Sequence, residues 1–412
     1  MIQFLHDKLP NGLELYFIPD HTTQMAAFNL LYNVGSKHED EQKTGFAHLF
    51  EHLMFGGSQH IPSYDEALQA VGGENNAFTS PDVTNYYITL PAVNLETAFW
   101  LESDRMLSLS FNPEVLEVQK KVVIEEFKQR YLNQPYGDAW LHLRPLAYQV
   151  HPYRWATIGK DISHIEKATM DDVQNFFFRY YRPNNAILVV AGNSTWEQVQ
   201  FWANKWFGDI PPKENIHQPL PQEPPQTQAR SKTIEANVPL EAIYKVYHSP
   251  ARQAKDYFAS DLLSDILGRG KSSRLYQKLV KEKEIFNTIQ AYITGAIDTG
   301  LLVIHGKLNP TYTLAEGNEA IEQVITELQQ ELISEQELEK VKNQAEASLV
   351  FSEVELLNRA MNLAYYALLG MPEAVNLQGE EIQAVTTAQI QEAAQKYLRP
   401  ENCSTLYYQK KP

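Results

Sequence analysis

The same helix–turn–strand segment occurs twice in this chain, once near the middle and once at the end, with no gap between the copies. IEKATMDDVQNFFFRYYRPNNAILVV begins at Ile165 and IQAVTTAQIQEAAQKYLRPENCSTLYY begins at Ile382. Laid together, Ile165, Thr169, Gln174, Tyr180, Arg182, Pro183 and Asn185 fall on Ile382, Thr386, Gln391, Tyr397, Arg399, Pro400 and Asn402. Each copy reads as an N-capped helix, an Arg-Pro turn and a strand. Chance likeness of two such units is the alternative, and the ungapped run favours duplication. A duplicated chain folds as two similar domains, which suits 412 residues, more than one ordinary core holds.

The stretch from Ile210 to Arg230, IPPKENIHQPLPQEPPQTQAR, is polar and rich in proline, a linker composition. It divides the chain into residues 1–210, a linker over 211–230, and residues 231–412. In the first part the patterning predicts strands at 13–18, 25–34, 75–79, 83–90 and 185–192. Helices are predicted near 43–55, 63–71, 94–108, 113–132 and 170–181. The second part repeats the order, with strands near 232–248, 287–294, 300–308 and 403–409 and helices at 256–267, 272–282 and beyond. Strand runs followed by helix runs predict an α+β fold: two homologous domains, each a mostly antiparallel sheet with helices packed on one face. The halves are expected to face each other as a clamshell.

The chemistry is concentrated in Thr44-Gly45-Phe46-Ala47-His48-Leu49-Phe50-Glu51-His52-Leu53-Met54-Phe55. This helical run is apolar on nearly every side and should be buried. It nevertheless carries two histidines and a carboxylate, whose burial without compensation is costly. A metal ion resolves the conflict. His48 and His52, four apart, project from one helical face, and Glu51 lies on the same side. Two imidazoles and a carboxylate from elsewhere make a catalytic zinc set with one open position, leaving Glu51 as general base. The order H-x-x-E-H is the inverted zinc-peptidase motif. A pair of core histidines satisfied by backbone groups is the other reading, and the apolar helix around them argues against it.

Composition narrows the partners. A formal net charge of −16 argues against nucleic acid. The single cysteine, Cys403, excludes an internal disulfide and a cysteine-based zinc site. No secretory signal and no membrane-length apolar run is visible, so a cytoplasmic location without membrane partners is expected. Gly268-Arg269-Gly270-Lys271-Ser272 suggests a phosphate loop, but Asp265 occupies the place of its first glycine. His38, His60 and His217 lie in polar surroundings and read as surface residues.

The sequence resembles the pitrilysin (M16) family of inverted-motif zinc peptidases, particularly its two-domain bacterial and mitochondrial-processing-peptidase-like members. The motif residues His48, Glu51 and His52 match directly, which implies hydrolysis of peptides or unfolded segments; a non-catalytic scaffold subunit of the same fold, or a zinc-binding protein without hydrolysis, is the alternative, and the intact H-x-x-E-H argues against the scaffold. GGENNAFTSPDVTNYYITLP at Gly72–Pro91, HPYRWATIGK at His151–Lys160 and GRGKSSRLYQKL at Gly268–Leu279 are similar to family segments, and the likeness covers nearly the whole chain. The resemblance implies one zinc ion and a third ligand, a glutamate on the helix beginning at Asn112-Pro113. Periodicity leaves Glu125 and Glu126 open; the resemblance favours Glu126. An acidic residue often found seven before that ligand is here Gln119. The resemblance also implies that Asn76, Ala77 and Phe78 form an edge strand pairing with extended peptide substrate, a sequence-tolerant grip. An ordinary hairpin is the alternative for those three.

In the family an arginine and a tyrosine of the second half bind substrate and stabilise the oxyanion. Here Lys281 and Asn287 or Thr288 stand near those places, and lysine is a poor substitute for a guanidinium fork. A homologous, zinc-free partner subunit supplying the Arg/Tyr pair is therefore expected, making a heterodimer; a homodimer or monomer that uses other donors is the alternative.

Overall fold

The computed structural model describes residues Met1–Lys411. They form two compact units, each an α+β body built on one sheet.

The first sheet contains β1 (Leu5–Lys8), β2 (Glu14–Pro19), β3 (Met25–Tyr32), β4 (Glu74–Thr79), β5 (Thr84–Pro91) and β6 (Ala186–Gly192), in the order β1-β2-β6-β3-β5-β4. The second contains β7 (Arg230–Ala236), β8 (Ala242–Ser249), β9 (Phe286–Ile293), β10 (Gly300–Leu308) and β11 (Cys403–Lys410), in the order β7-β11-β8-β10-β9. Apart from β1, the two orders are the same. In each sheet the last strand in sequence runs parallel to the first of the repeat, β2 with β6 and β7 with β11, and every other pairing is antiparallel.

The repeated segment folds alike in both places. Thr169 and Thr386 each cap a helix through a reciprocal box, with Asp172 and Gln389 returning the bond. In the turns that follow, Asn185 Nδ2 donates to the Tyr180 carbonyl at 2.8 Å and Asn402 Nδ2 to the Tyr397 carbonyl at 2.7 Å. The aligned asparagines thus have the same task, bracing the helix end so that the chain turns into the strand.

Every residue of β6 and β8 is buried. Such strands need cover on both faces of the sheet. In the first unit one face carries Phe28 and Tyr32, packed against Phe99 and Tyr181 of the local helices. The other face presents Ala27, Leu31, Val189 and Ala191, and is covered by Ala360, Leu363 and Ala364 of the helix Leu356–Leu368. In the second unit Ala242, Val246, Leu301, Val303 and Leu406 are covered by Ala139, Leu143 and Ala147 of the helix Ala139–Ala147.

The units therefore depart from the linear halves 1–210 and 231–412. Residues 128–154 count with the second unit and 350–377 with the first. The stretch between Phe207 and Arg230 holds no helix or strand, in keeping with its prolines. Helices Ala139–Ala147 and Trp196–Phe207 and strand β1 were not anticipated from patterning. The first of these contains Pro145, ordinarily a helix breaker. Among the described residues no helix is long and apolar enough to cross a membrane.

Candidate metal centre

The motif forms the helix Phe46–Leu53 in the first unit. Phe46, Ala47, Leu49, Phe50 and Leu53 are buried, while His48, Glu51 and His52 are partly open. The apolar majority fixes the helix: Phe50 stacks on Phe176 and Tyr181, with ring centroids 4.9 and 5.4 Å apart. The polar minority is thereby turned to one side.

The N-terminus of this helix is held from outside. Its N-cap residue, Gly45, has φ of 88° and supplies no side-chain cap. A Cβ there would lie 2.6 Å from the Ile158 carbonyl, so glycine is required by both conformation and space. The cap comes from Glu39, whose carboxylate accepts from the Gly45 amide at 3.0 Å and the Ala47 amide at 2.8 Å. Glu39 is buried, and desolvation pushes its carboxyl up to about 8 against those amide bonds. Trp155 donates its indole N–H to the Ser36 carbonyl at 2.9 Å, which ties the 155–160 stretch to the same loop.

The helix Pro113–Phe127 packs alongside. Asn112 Oδ1 accepts from the Glu114 amide at 2.8 Å, the expected cap. Leu116, Lys120, Val123 and Phe127 are buried along one stripe. Glu126 lies at the edge of that stripe: Val123 is 1% exposed, whereas Val122 is 44% exposed. Glu125 falls on the exposed side. Inward packing thus separates the two glutamates that periodicity left open.

Glu126 Oε2 stands 3.6 Å from His48 Nε2 and 3.5 Å from His52 Nε2. The imidazoles meet edge to face, with centroids 4.8 Å apart. Among the described residues these three form one group whose ligand atoms all lie within 4.8 Å of one another. Zinc bonds of about 2.0–2.2 Å in tetrahedral array place neighbouring ligand atoms about 3.3–3.6 Å apart, so the donors fit zinc in kind and the two Glu126 contacts fit it in spacing.

Glu51 accepts from the Thr79 hydroxyl, Oγ1 to Oε2, at 2.5 Å. Thr79 ends β4, which is the outer strand of its sheet and pairs there with β5 alone. Asn76, Ala77 and Phe78 lie on this strand opposite Tyr87, Tyr86 and Asn85. Phe78 is 42% exposed. The His48–His52–Glu126 group and the edge strand therefore belong to one neighbourhood, joined through Glu51 and Thr79. Neither Glu39 nor Thr79 emerged from sequence as a functional candidate. The signals present were an acidic run ahead of an apolar helix and the placement of Thr79 on the half-buried face of β4 with Asn75 and Ala77.

In the second unit, Asn287 and Thr288 are exposed on β9, the outer strand of that sheet, and Lys281 lies in the helical turn Tyr276–Glu282.

Residues 16–153, which include all three donors and Glu51, match the family model described as Insulinase (Peptidase family M16). Residues 167–345 match the model described as Peptidase M16 inactive domain. The zinc protease PqqE of Helicobacter pylori is 31% identical over 83% of this chain and 78% of its own length. The mitochondrial-processing peptidase subunit beta of Saccharomyces cerevisiae is 25% identical over 84% of this chain and 78% of its own. A crystal structure of a protease from Helicobacter pylori superposes with a TM-score of 0.95 at 27% identity, covering 99% of this chain and 100% of that one. With its duplicated fold, its donor set and these relatives, the chain belongs to the M16 peptidase family.

Proposed function

We propose that the chain is a zinc-dependent peptidase that hydrolyses peptides or unfolded segments bound as an extended strand along β4. The observation that carries this reading is the meeting of His48 Nε2, His52 Nε2 and Glu126 Oε2 beside Glu51. His48, His52 and Glu126 would hold one zinc ion. When bound, the ion supplies Lewis acidity, acidifying a ligated water and polarising a carbonyl.

The rest is the work of this chain's own groups. Glu51 takes a proton from the attacking water at its carboxylate and later delivers it to the departing amine, as the C–O bond forms and the C–N bond breaks. Asn76, Ala77 and Phe78 offer the unpaired side of β4 to the peptide backbone, and neighbouring side chains set preference. Such a grip selects extended chains and spares the interiors of compact folded proteins.

We further infer a homologous partner lacking the zinc donors. Where the family resemblance would put an Arg/Tyr pair this chain has Lys281 and Asn287 or Thr288, a poor replacement, and one similar protein is by name a subunit of a processing peptidase. A homodimer is the competing arrangement.

The test of the peptidase reading is cleavage of a quenched extended peptide, alongside metal analysis. Chelator should abolish cleavage and zinc restore it. Glu51→Gln should keep its zinc and lose about a hundredfold or more in kcat, the usual weight of a general base. Full activity in that variant would refute the mechanism.

A further inference from the structure

We propose that Thr79 is a positioning residue for the Glu51 base, tying it to the strand on which the peptide would lie. The inference rests on the reading of Glu51 as base. Its ground is a direct bond: the Thr79 hydroxyl donates to Glu51 Oε2. A carboxylate on a glutamate has several staggered rotamers open to it, and a donor from a fixed strand narrows that choice.

The strand end is fixed by several contacts. Thr79 pairs with Thr84, whose own hydroxyl donates to the Val34 carbonyl at 2.8 Å. The intervening turn closes with the Ser80 amide on the Val83 carbonyl at 2.8 Å. Beneath it Lys37 Nζ lies 2.8 Å from Asp82 Oδ1, an ion pair with both side chains less than a tenth exposed. The Ser36 and Lys37 amides donate to the carbonyls of Ser80 and Pro81 at 3.2 and 2.9 Å. That approach is so close that a Cβ on Gly35 would lie 2.5 Å from the Ser80 carbonyl.

The same short loop runs on to Glu39, the outside cap of the helix bearing Glu51. One loop thus anchors both partners of the Thr79–Glu51 bond, the strand end through Lys37 and the helix start through Glu39. Thr79 is presented by a backbone that cannot readily drift, and it reaches Glu51 from the end of β4.

The test uses the whole chain with an extended peptide, in the assembly in which it cleaves. Thr79→Val keeps the shape and removes the donor. Its kcat should fall about tenfold, the scale of one hydrogen bond to a charged group. KM should change less than about twofold, and zinc content should stay at the wild-type value. Thr79→Ser should recover most of the loss. In a Glu51→Gln background Thr79→Val should add almost nothing, because the group it positions is gone. An unchanged kcat in Thr79→Val, loss of zinc in that variant, or a Thr79→Ser variant as impaired as Thr79→Val would each overturn the inference while the base reading stands. An active Glu51→Gln would remove the base itself, and this inference with it.

Discussion

Glu126 presents a carboxylate oxygen 3.5 Å from Nε2 of His52, across the contact between two helices far apart in sequence. The glutamate beside it, Glu125, lies on the exposed side of the same helix. The difference is one residue, or about 100° of helical rotation. Glu126→Gln should therefore drop zinc content sharply and cleavage with it. Glu125→Gln should retain near-full zinc. Metal analysis after dialysis against a weak chelator separates the two, and equal loss from both variants would contradict the assignment.

Glu39 caps the helix of His48 and His52 from within the core, and its removal should be felt at the proposed zinc site. Glu39→Ala strands the Gly45 and Ala47 amides and should cost about 1–3 kcal/mol. Chelator competition should show weaker zinc retention, since the helix carrying two donors is loosened.

The same carboxyl gives a signed pH effect. Burial raises it from an ordinary 4.5 to about 8 in the folded protein. Between those values the folded state holds a proton that the unfolded chain has released. Its contribution is thus most favourable below about 4.5 and declines as pH rises, with the full cost present above about 8. Urea unfolding of the wild type and of Glu39→Gln across this range should show the wild type losing ground to the variant with rising pH. A constant gap would mean that the carboxyl is ionised throughout.

The helix Leu356–Leu368 packs on the first sheet although the repeat assigns it to the second half of the chain. Leu363 is fully buried there. Leu363→Ala should cost about 2–5 kcal/mol, the range for a buried leucine truncation. The loss should appear in the unit that carries His48, His52 and Glu126, so thermal unfolding and zinc release should move down together. Zinc release at the wild-type temperature would show that this helix does not support the metal unit.

The partner reading has its own assay. The purified chain alone should cleave slowly, and addition of a homologous chain carrying the Arg/Tyr pair should raise turnover. Full turnover by the isolated chain, at concentrations where it is monomeric, would remove the need for any partner.

Local order was legible from sequence because its causes are local. Period-two and period-3.6 patterning marked most strands and helices, and Thr169 and Thr386 announced their helices through side chains that bond three residues on. The ungapped repeat anticipated two sheets of like order, and His48, Glu51 and His52 declared their shared face by spacing alone. Tertiary structure decided the rest, where the deciding contact joins residues that no period relates. Glu126 was separated from Glu125 by which valine, Val123 or Val122, found a neighbour to pack on. Strands buried on both faces demanded covering helices, but nothing in their own residues says that Ala139–Ala147 covers β8 and its neighbours, or that Leu356–Leu368 covers β3 and β6. The roles of Glu39 and Thr79 exist only once a loop, a strand end and a helix are brought together, because a cap or a hydrogen bond is a distance, and distance between remote residues is set by packing.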